Sequence, residues 1–279
     1  MYVYLLLCCP MEYDPVKDRL FALTRHRVLL REALFFALAR LFLREQHIKR
    51  RLRQLGLPAE AFILDAGCGL GQYSFWLAKR FPRAAIFAGD VKKHFISAGN
   101  EHAKARGLRN LRFGELDLPA LDADAQYDLI LAVDVMEHIE DDGDVMRRFC
   151  RALRAGGRLV VHTPAAPEDS RTSRADPKRQ VEEHVRAGYY PPELVEKLRA
   201  AGFAEFALYP TYHPVTGMLL WQLWQNVPLQ LTRLGWLGYA LIPLWFVLAY
   251  PLGYPFWWRD LHLPLRAGRG IIAVATKLQ

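Results

Sequence analysis

An aliphatic run that ends in Asp65 and is followed at once by Gly67, Gly69 and Gly71, within ILDAGCGLGQYS (Ile63 to Ser74), constrains this chain more than any other feature. Glycines at alternate positions let the backbone turn sharply from a strand into a helix and approach a ligand without Cβ collisions. The spacing is GxGxG. A dinucleotide fingerprint needs GxGxxG, and its third glycine would fall on Gln72, which argues against a pyrophosphate ligand.

The segments AFILD, AAIFAGD, LRF, YDLILAVD and GRLVVHT are short aliphatic runs, separated by helical stretches such as Phe75 to Arg80 and Val145 to Arg154. Strands alternating with helices predict a parallel sheet covered on both faces. Pro191 and Pro192 open a helix through Ala201, with Gly202 as its C-cap. A sixth strand is expected over Phe203 to Tyr209 and a last one over Ile271 to Thr276. The polar stretch from Pro164 to Arg186 reads as a long loop. The expected fold is therefore α/β, a doubly wound and mostly parallel seven-stranded sheet with N-terminal helices and an apolar helical insertion before the last strand. The expected boundaries are 1–56 for the N-terminal helices, 57–210 with 267–279 for the α/β domain, and 211–266 for the insertion.

Acidic residues stand at successive strand ends: Asp90 after AIFAG, Asp117 after LRFGEL and Asp134 after ILAV. Ligands of open α/β sheets bind beyond the carboxyl ends of the strands, so these carboxylates are expected to face one cleft. Each alone has a plainer reading, Asp65 as a helix cap and Asp117 as a surface turn residue.

Taken together, DAGCGLG, the Gly89–Asp90 pair, FGELDL and VDVMEHIEDD resemble the class I S-adenosylmethionine-dependent methyltransferases, especially the small-molecule branch of the ubiquinone and menaquinone type. The resemblance runs from about Ala61 to Gly202 and resumes in the last strand. It implies S-adenosylmethionine as cofactor, with the Asp65, Gly67 and Gly69 loop holding its methionine end, Gly71 also in the cofactor site, and Asp90 accepting both ribose hydroxyls. Asp117 would bind the adenine amino group, Val91 and Leu118 would flank the ring, and Asp134 and Val135 would line the pocket near the sulfonium.

Methyl transfer needs alignment of a nucleophile and exclusion of water more than a nucleophilic side chain, and the need for a base depends on the acceptor. His138, just after the fourth strand, and His184, in VEEHVRAGYY beside Glu182, Glu183, Arg186 and Tyr189, are the candidate bases, each with a loop-organising alternative. His162 in the fifth strand reads instead as a satisfied strand-end histidine. Cys8, Cys9, Cys68 and Cys150 form neither a disulfide framework nor a zinc spacing, so a reducing, cytoplasmic setting and no metal are expected.

Two features lie outside the resemblance. Val16 to Gly56 holds eleven Lys or Arg against Asp18, Glu32 and Glu45, with Leu20, Phe21, Leu29, Leu30, Leu34, Leu38, Leu41 and Phe42 at mostly helical spacing. Basic residues alternating with apolar ones point to lipid head groups rather than nucleic acid, a solvated helix face being the alternative. The second feature is the pair of stretches Phe206 to Thr232 and Leu234 to Trp258, which lack Asp, Glu, Lys and Arg and are divided only by Arg233. Six of the seven Trp lie between Trp221 and Trp258. Each stretch is long enough to cross a bilayer, which takes about 20 helical residues. Their glutamines and prolines favour a shallow hairpin in one leaflet over two spans, and a two-span hairpin would need Arg233 near its far turn.

These features predict methyl transfer to a lipid-like or isoprenoid-like acceptor at the cytoplasmic face of a membrane. The alternatives are a small soluble acceptor, with the insertion as lid or dimer interface, and a non-catalytic membrane adaptor on the same scaffold. The opening MYVYLLLCCP lacks a basic n-region and is short for a signal peptide, while Met11 begins a more ordinary MEYDPVKDRL, so an over-long start is expected.

Overall fold

The computed structural model describes residues 28–166 and 185–278. The part of the expected N-terminal helical region before Val28 and the candidate His184, with Glu182 and Glu183, lie outside the described residues.

Seven strands form one sheet: β1 (Phe62–Ala66), β2 (Ala85–Asp90), β3 (Leu111–Glu115), β4 (Tyr127–Val133), β5 (Leu153–Pro164), β6 (Glu205–Thr211) and β7 (Gly270–Thr276). Their order is β3-β2-β1-β4-β5-β7-β6. The pairs β1–β2, β1–β4, β2–β3 and β4–β5 are parallel, with Asp65 opposite Ala88 and Leu131. Ile63, Leu64, Leu129, Ile130, Leu131, Leu159 and Val160 are wholly buried, as strands covered on both faces require. β6 begins two residues later than its apolar pattern predicts.

The helices are α1 (Val28–Leu41), α2 (Leu43–Gln54), α3 (Gln72–Arg80), α4 (Lys93–Ala105), α5 (Asp142–Ala152), α6 (Pro191–Ala200), α7 (Thr216–Trp221), α8 (Val227–Leu231) and α9 (Trp236–His262). Gly71, at φ +81°, turns the chain into α3, whose Tyr73, Phe75, Leu77 and Ala78 are buried while Lys79 and Arg80 stand at its negative end. The Asp141 carboxylate caps α5 by accepting from the Asp144 N–H at 2.9 Å. Pro191 and Pro192 fill the first turn of α6, where no backbone donor is needed, and Gly202 follows at φ +98°.

The chain divides into two compact units. The first comprises residues 1–32, 57–207 and 273–279, and the second comprises residues 33–56 and 208–272. Residues 33–56 of the N-terminal helical region thus group with the apolar insertion.

In the second unit the insertion is a helical hairpin. Its first arm runs through α7, a π-helical turn (Gln222–Asn226) and α8. A 3-10 turn (Thr232–Leu234) with Gly235 at φ +62° then reverses the chain into α9, so Arg233 does stand at the turn. The arms pack through Trp224, which is buried, stacks on Tyr250 with centroids 5.1 Å apart, and donates its indole N–H to the Ala249 carbonyl at 2.9 Å. Trp245 donates to the Leu223 carbonyl at 2.7 Å. Small residues permit this approach: a Cβ at Gly253 would lie 2.6 Å from the Trp224 indole. At the hairpin base, the buried Asp260 carboxylate lies 2.8 Å from His47 Nε2 and accepts from the His213 N–H at 2.8 Å.

Candidate functional site

The glycine loop is built by its neighbours. The N–H groups of Gly67 and Cys68 both donate to the Gly89 carbonyl, at 2.9 and 3.0 Å, which ties the loop to the end of β2. Gly67 adopts φ +72°, and a Cβ there would lie 2.1 Å from Val135 Cγ2, so this glycine lets the loop seat against the residue that follows β4. Gly69, at φ +52°, has no atom within 4 Å of its would-be Cβ, which leaves open space above the loop. Gly71 packs under the ring of Phe113 in β3.

Asp90, at the end of β2, faces this loop. One carboxylate oxygen accepts from the Gly69 N–H at 2.8 Å and the other from the Lys92 N–H at 2.9 Å. Carboxylate oxygens each have about two acceptor positions, so a second one remains on each. The Leu116 N–H donates to the Asp90 carbonyl at 3.1 Å, carrying the chain from β3 past the same strand end. Val91 and Asp117 are exposed there, while Leu118 is buried at the start of a 3-10 turn (Leu118–Ala120).

Asp65 behaves differently from the other strand-end acids. Its side chain is buried and accepts a hydrogen bond from Ser74 Oγ at 2.5 Å, fastening β1 to α3. Burial, reinforced by the nearby Asp90 charge, pushes its carboxyl up to about 7 against the opposing Ser74 bond. Burial also pushes the Cys68 thiol well up, which keeps it protonated and a poor nucleophile.

Beyond β4, Asp134 adopts φ +50°, unusual for a residue with a side chain. Its N–H donates to the His162 carbonyl at 2.9 Å, and its carboxylate lies 2.5 Å from His162 Nδ1. His162 is thus the partnered strand-end histidine that its position predicts. His138 ends a 3-10 turn (Met136–His138) and is half-buried four residues beyond Asp134.

Of the residues beside His184 in VEEHVRAGYY, the described Arg186 and Tyr189 have structural partners. Both are buried in a polar cluster around Asp142, the first residue of α5. Arg186 is ion-paired with Asp142, the Tyr189 hydroxyl bonds the same carboxylate at 2.6 Å, and Lys197 completes the cluster at 2.8 Å. Arg186 and Tyr189 also both donate to the Met136 carbonyl, and the backbone N–H groups of Val185 and Arg186 reach the Glu137 carbonyl. The cluster therefore anchors the segment that carries His138. Burial and the neighbouring Asp142 raise the Tyr189 hydroxyl, so it remains protonated. Asp142 was missed as a site-organising residue because an acid in a first helical turn has a sufficient local explanation. A cavity of about 460 Å³, lined by Phe62, Ala85, Leu111, Tyr127 and Arg154 among others, lies at the opposite ends of β1 to β4.

This strand order, with a glycine loop after β1 and acids after β2, β3 and β4, defines a class I methyltransferase fold. The chain belongs to the methyltransferase-domain family, whose model matches residues 59–205. It is 31% identical over 119 residues to methyltransferase GfsG of Streptomyces halstedii, covering 42% of each chain. It is 32% identical over 103 residues to a ubiquinone biosynthesis O-methyltransferase of Coxiella burnetii, covering 36% of this chain and 42% of that one. The matched part spans about two fifths of the length of these relatives. The fold is also similar to that of phosphoethanolamine N-methyltransferase 2 of Haemonchus contortus in complex with S-adenosyl-L-methionine, with a TM-score of 0.60 at 16% identity over 94% of this chain and 60% of that one.

Proposed function

We propose that this chain transfers a methyl group from S-adenosylmethionine to a lipid-like or isoprenoid-like acceptor at the cytoplasmic face of a membrane. The observation that carries the cofactor half is Asp90, whose carboxylate is oriented by the Gly69 and Lys92 N–H groups and keeps an acceptor position on each oxygen for two neighbouring hydroxyls. The open space at Gly69 fits close approach of a ligand to the loop backbone. When bound, S-adenosylmethionine supplies a methyl group already activated by a cationic sulfur.

The protein's own part is positional. Gly67, Gly69 and Gly71 give the loop its shape, Asp65 holds it to α3, and Asp90 reads the ribose. Val91, Asp117 and Leu118 stand at the adjoining strand ends to frame the adenine. The His162–Asp134 pair fixes the backbone after β4, so that Asp134 and Val135 form a set wall near the sulfonium. His138 lies on that same anchored segment and is the described candidate base, a role that an acceptor hydroxyl would call on and a more acidic nucleophile would not.

The acceptor half is supported by the second unit, where α9 is long and apolar enough to cross a membrane yet keeps only 17% of its most apolar window buried. The deciding experiment incubates the full chain with methyl-labelled S-adenosylmethionine and either a lipid extract or the water-soluble fraction of the same cells. Label in an extractable lipid supports the reading. Label confined to a water-soluble acceptor would replace it with the lid or interface alternative.

A further inference from the structure

The second unit concentrates the charge of the chain. Residues 33–56 and 208–272 contain ten Lys or Arg and two acids, a net +8 equal to that of all 279 residues, so the first unit is balanced. Both acids are internal: Glu45 is buried and ion-paired with Lys49, and Asp260 is buried against His47 and the His213 N–H. No carboxylate therefore lies on the surface of this unit to offset its arginines.

Apolar surface accompanies that charge. The small residues Gly238, Ala249 and Gly253 hold α9 onto its own unit, while Trp236, Leu244, Val247, Leu248 and Leu252 point outward, all at least 60% exposed. The amides of Gln222, Asn226 and Gln230 bond to one another along the first arm, which lowers the cost of taking them out of water. Arg259, Arg266 and Arg269 are exposed at the hairpin base, where the Arg269 N–H donates to the Tyr212 carbonyl. Between α1 and α9 a groove of about 600 Å³, lined by Phe36, Pro243, Phe246, Tyr250 and Pro251, has Arg40 as its single charged wall.

We propose that this unit is a binding module for membranes rich in anionic lipid, with the outward face of α9 among the acyl chains and the base arginines at the head groups. The inference rests on the membrane-surface reading above and adds the lipid class that membrane must contain. Apolar area alone would suit a second copy of the chain, but pairing two such units would bring like charges together, whereas an anionic leaflet complements both features. Trp236, Tyr239, Tyr254 and Trp258 have amphipathic rings of the kind that settle at a membrane interface.

The test is co-sedimentation of the full chain with vesicles of phosphatidylcholine alone or mixed with phosphatidylglycerol. Binding should be much stronger to the mixed vesicles and weaken as salt is raised. The variant R259Q/R266Q/R269Q should bind them about a hundredfold less tightly, whereas L244Q/L248Q should lose binding to both vesicle types. Unchanged circular dichroism and S-adenosylhomocysteine binding would show that both variants are folded. Equal binding of wild type to the two vesicle types would overturn anionic selectivity and leave the membrane-surface reading standing. Binding to neither, with the chain dimeric at every lipid concentration, would overturn both.

Discussion

The glycine-loop end of the sheet and the apolar hairpin solve opposite problems. At the loop, polar groups are each given a designated partner: Asp65 has Ser74, Asp134 has His162, and Asp90 has two backbone donors with acceptor capacity to spare. In the hairpin, Trp224 and Trp245 have fixed partners in the interior, and the outward apolar face of α9 is left to whatever medium surrounds it. A site that recognises one molecule needs fixed directions, whereas a surface that meets a fluid medium needs composition and charge.

The largest effect that would sharpen this contrast is expected from Asp90→Ala. Losing two charge-assisted hydrogen bonds at about 1.5–3 kcal/mol each predicts at least a hundredfold weaker binding of S-adenosylhomocysteine by equilibrium dialysis, with vesicle binding unchanged. Parallel loss of both activities would break the separation of roles. Trp224→Ala should cost about 3–5 kcal/mol in the second unit, through a cavity against Tyr250 and loss of the indole bond to the Ala249 carbonyl, and hydrogen exchange should locate the loss in residues 208–272. Equal loss of protection in β1 to β4 would contradict that assignment.

One pH effect arises in the loop. The folded-state pKa of Asp65 is raised to about 7, so between the ordinary carboxyl value and that point the native protein holds a proton the unfolded chain has released. Stability therefore falls as pH rises from about 4 to about 7, by at most about 1.4 kcal/mol per unit from this group, and levels off above. Asp65→Asn should flatten that slope in urea titrations; an unaltered slope would place the titrating group elsewhere. The smallest effect is expected from Gly69→Ala, where only the positive φ opposes the methyl group and about 1 kcal/mol of stability is at stake. Its cofactor affinity should fall out of proportion to that loss, since the added Cβ would point into the open space above the loop.

The sheet was legible because strand runs and glycines are local signals, and Asp90, Asp117 and Asp134 could be placed by counting to strand ends. Side-chain direction was not legible. Nothing in the spacing of Asp65 and Ser74 says that they bond, and nothing local ties Arg186 and Tyr189 to Asp142, which lies 44 residues away from Arg186 in sequence. In the hairpin, Arg233 marked the turn through its isolated charge, while the packing of Trp224 on Tyr250 depended on Gly253 across the interface, which no periodicity encodes. The grouping of residues 33–56 with the insertion was hidden for the same reason, since the His47–Asp260 contact joins positions 213 residues apart.

The central claim is that the loop, with Asp90, holds S-adenosylmethionine, and isothermal titration of that compound into the folded, full-length chain tests it most directly. The account predicts saturable binding at one site per chain, abolished by Asp90→Ala. Wild-type protein with an intact cooperative unfolding transition and no heat of binding would contradict it.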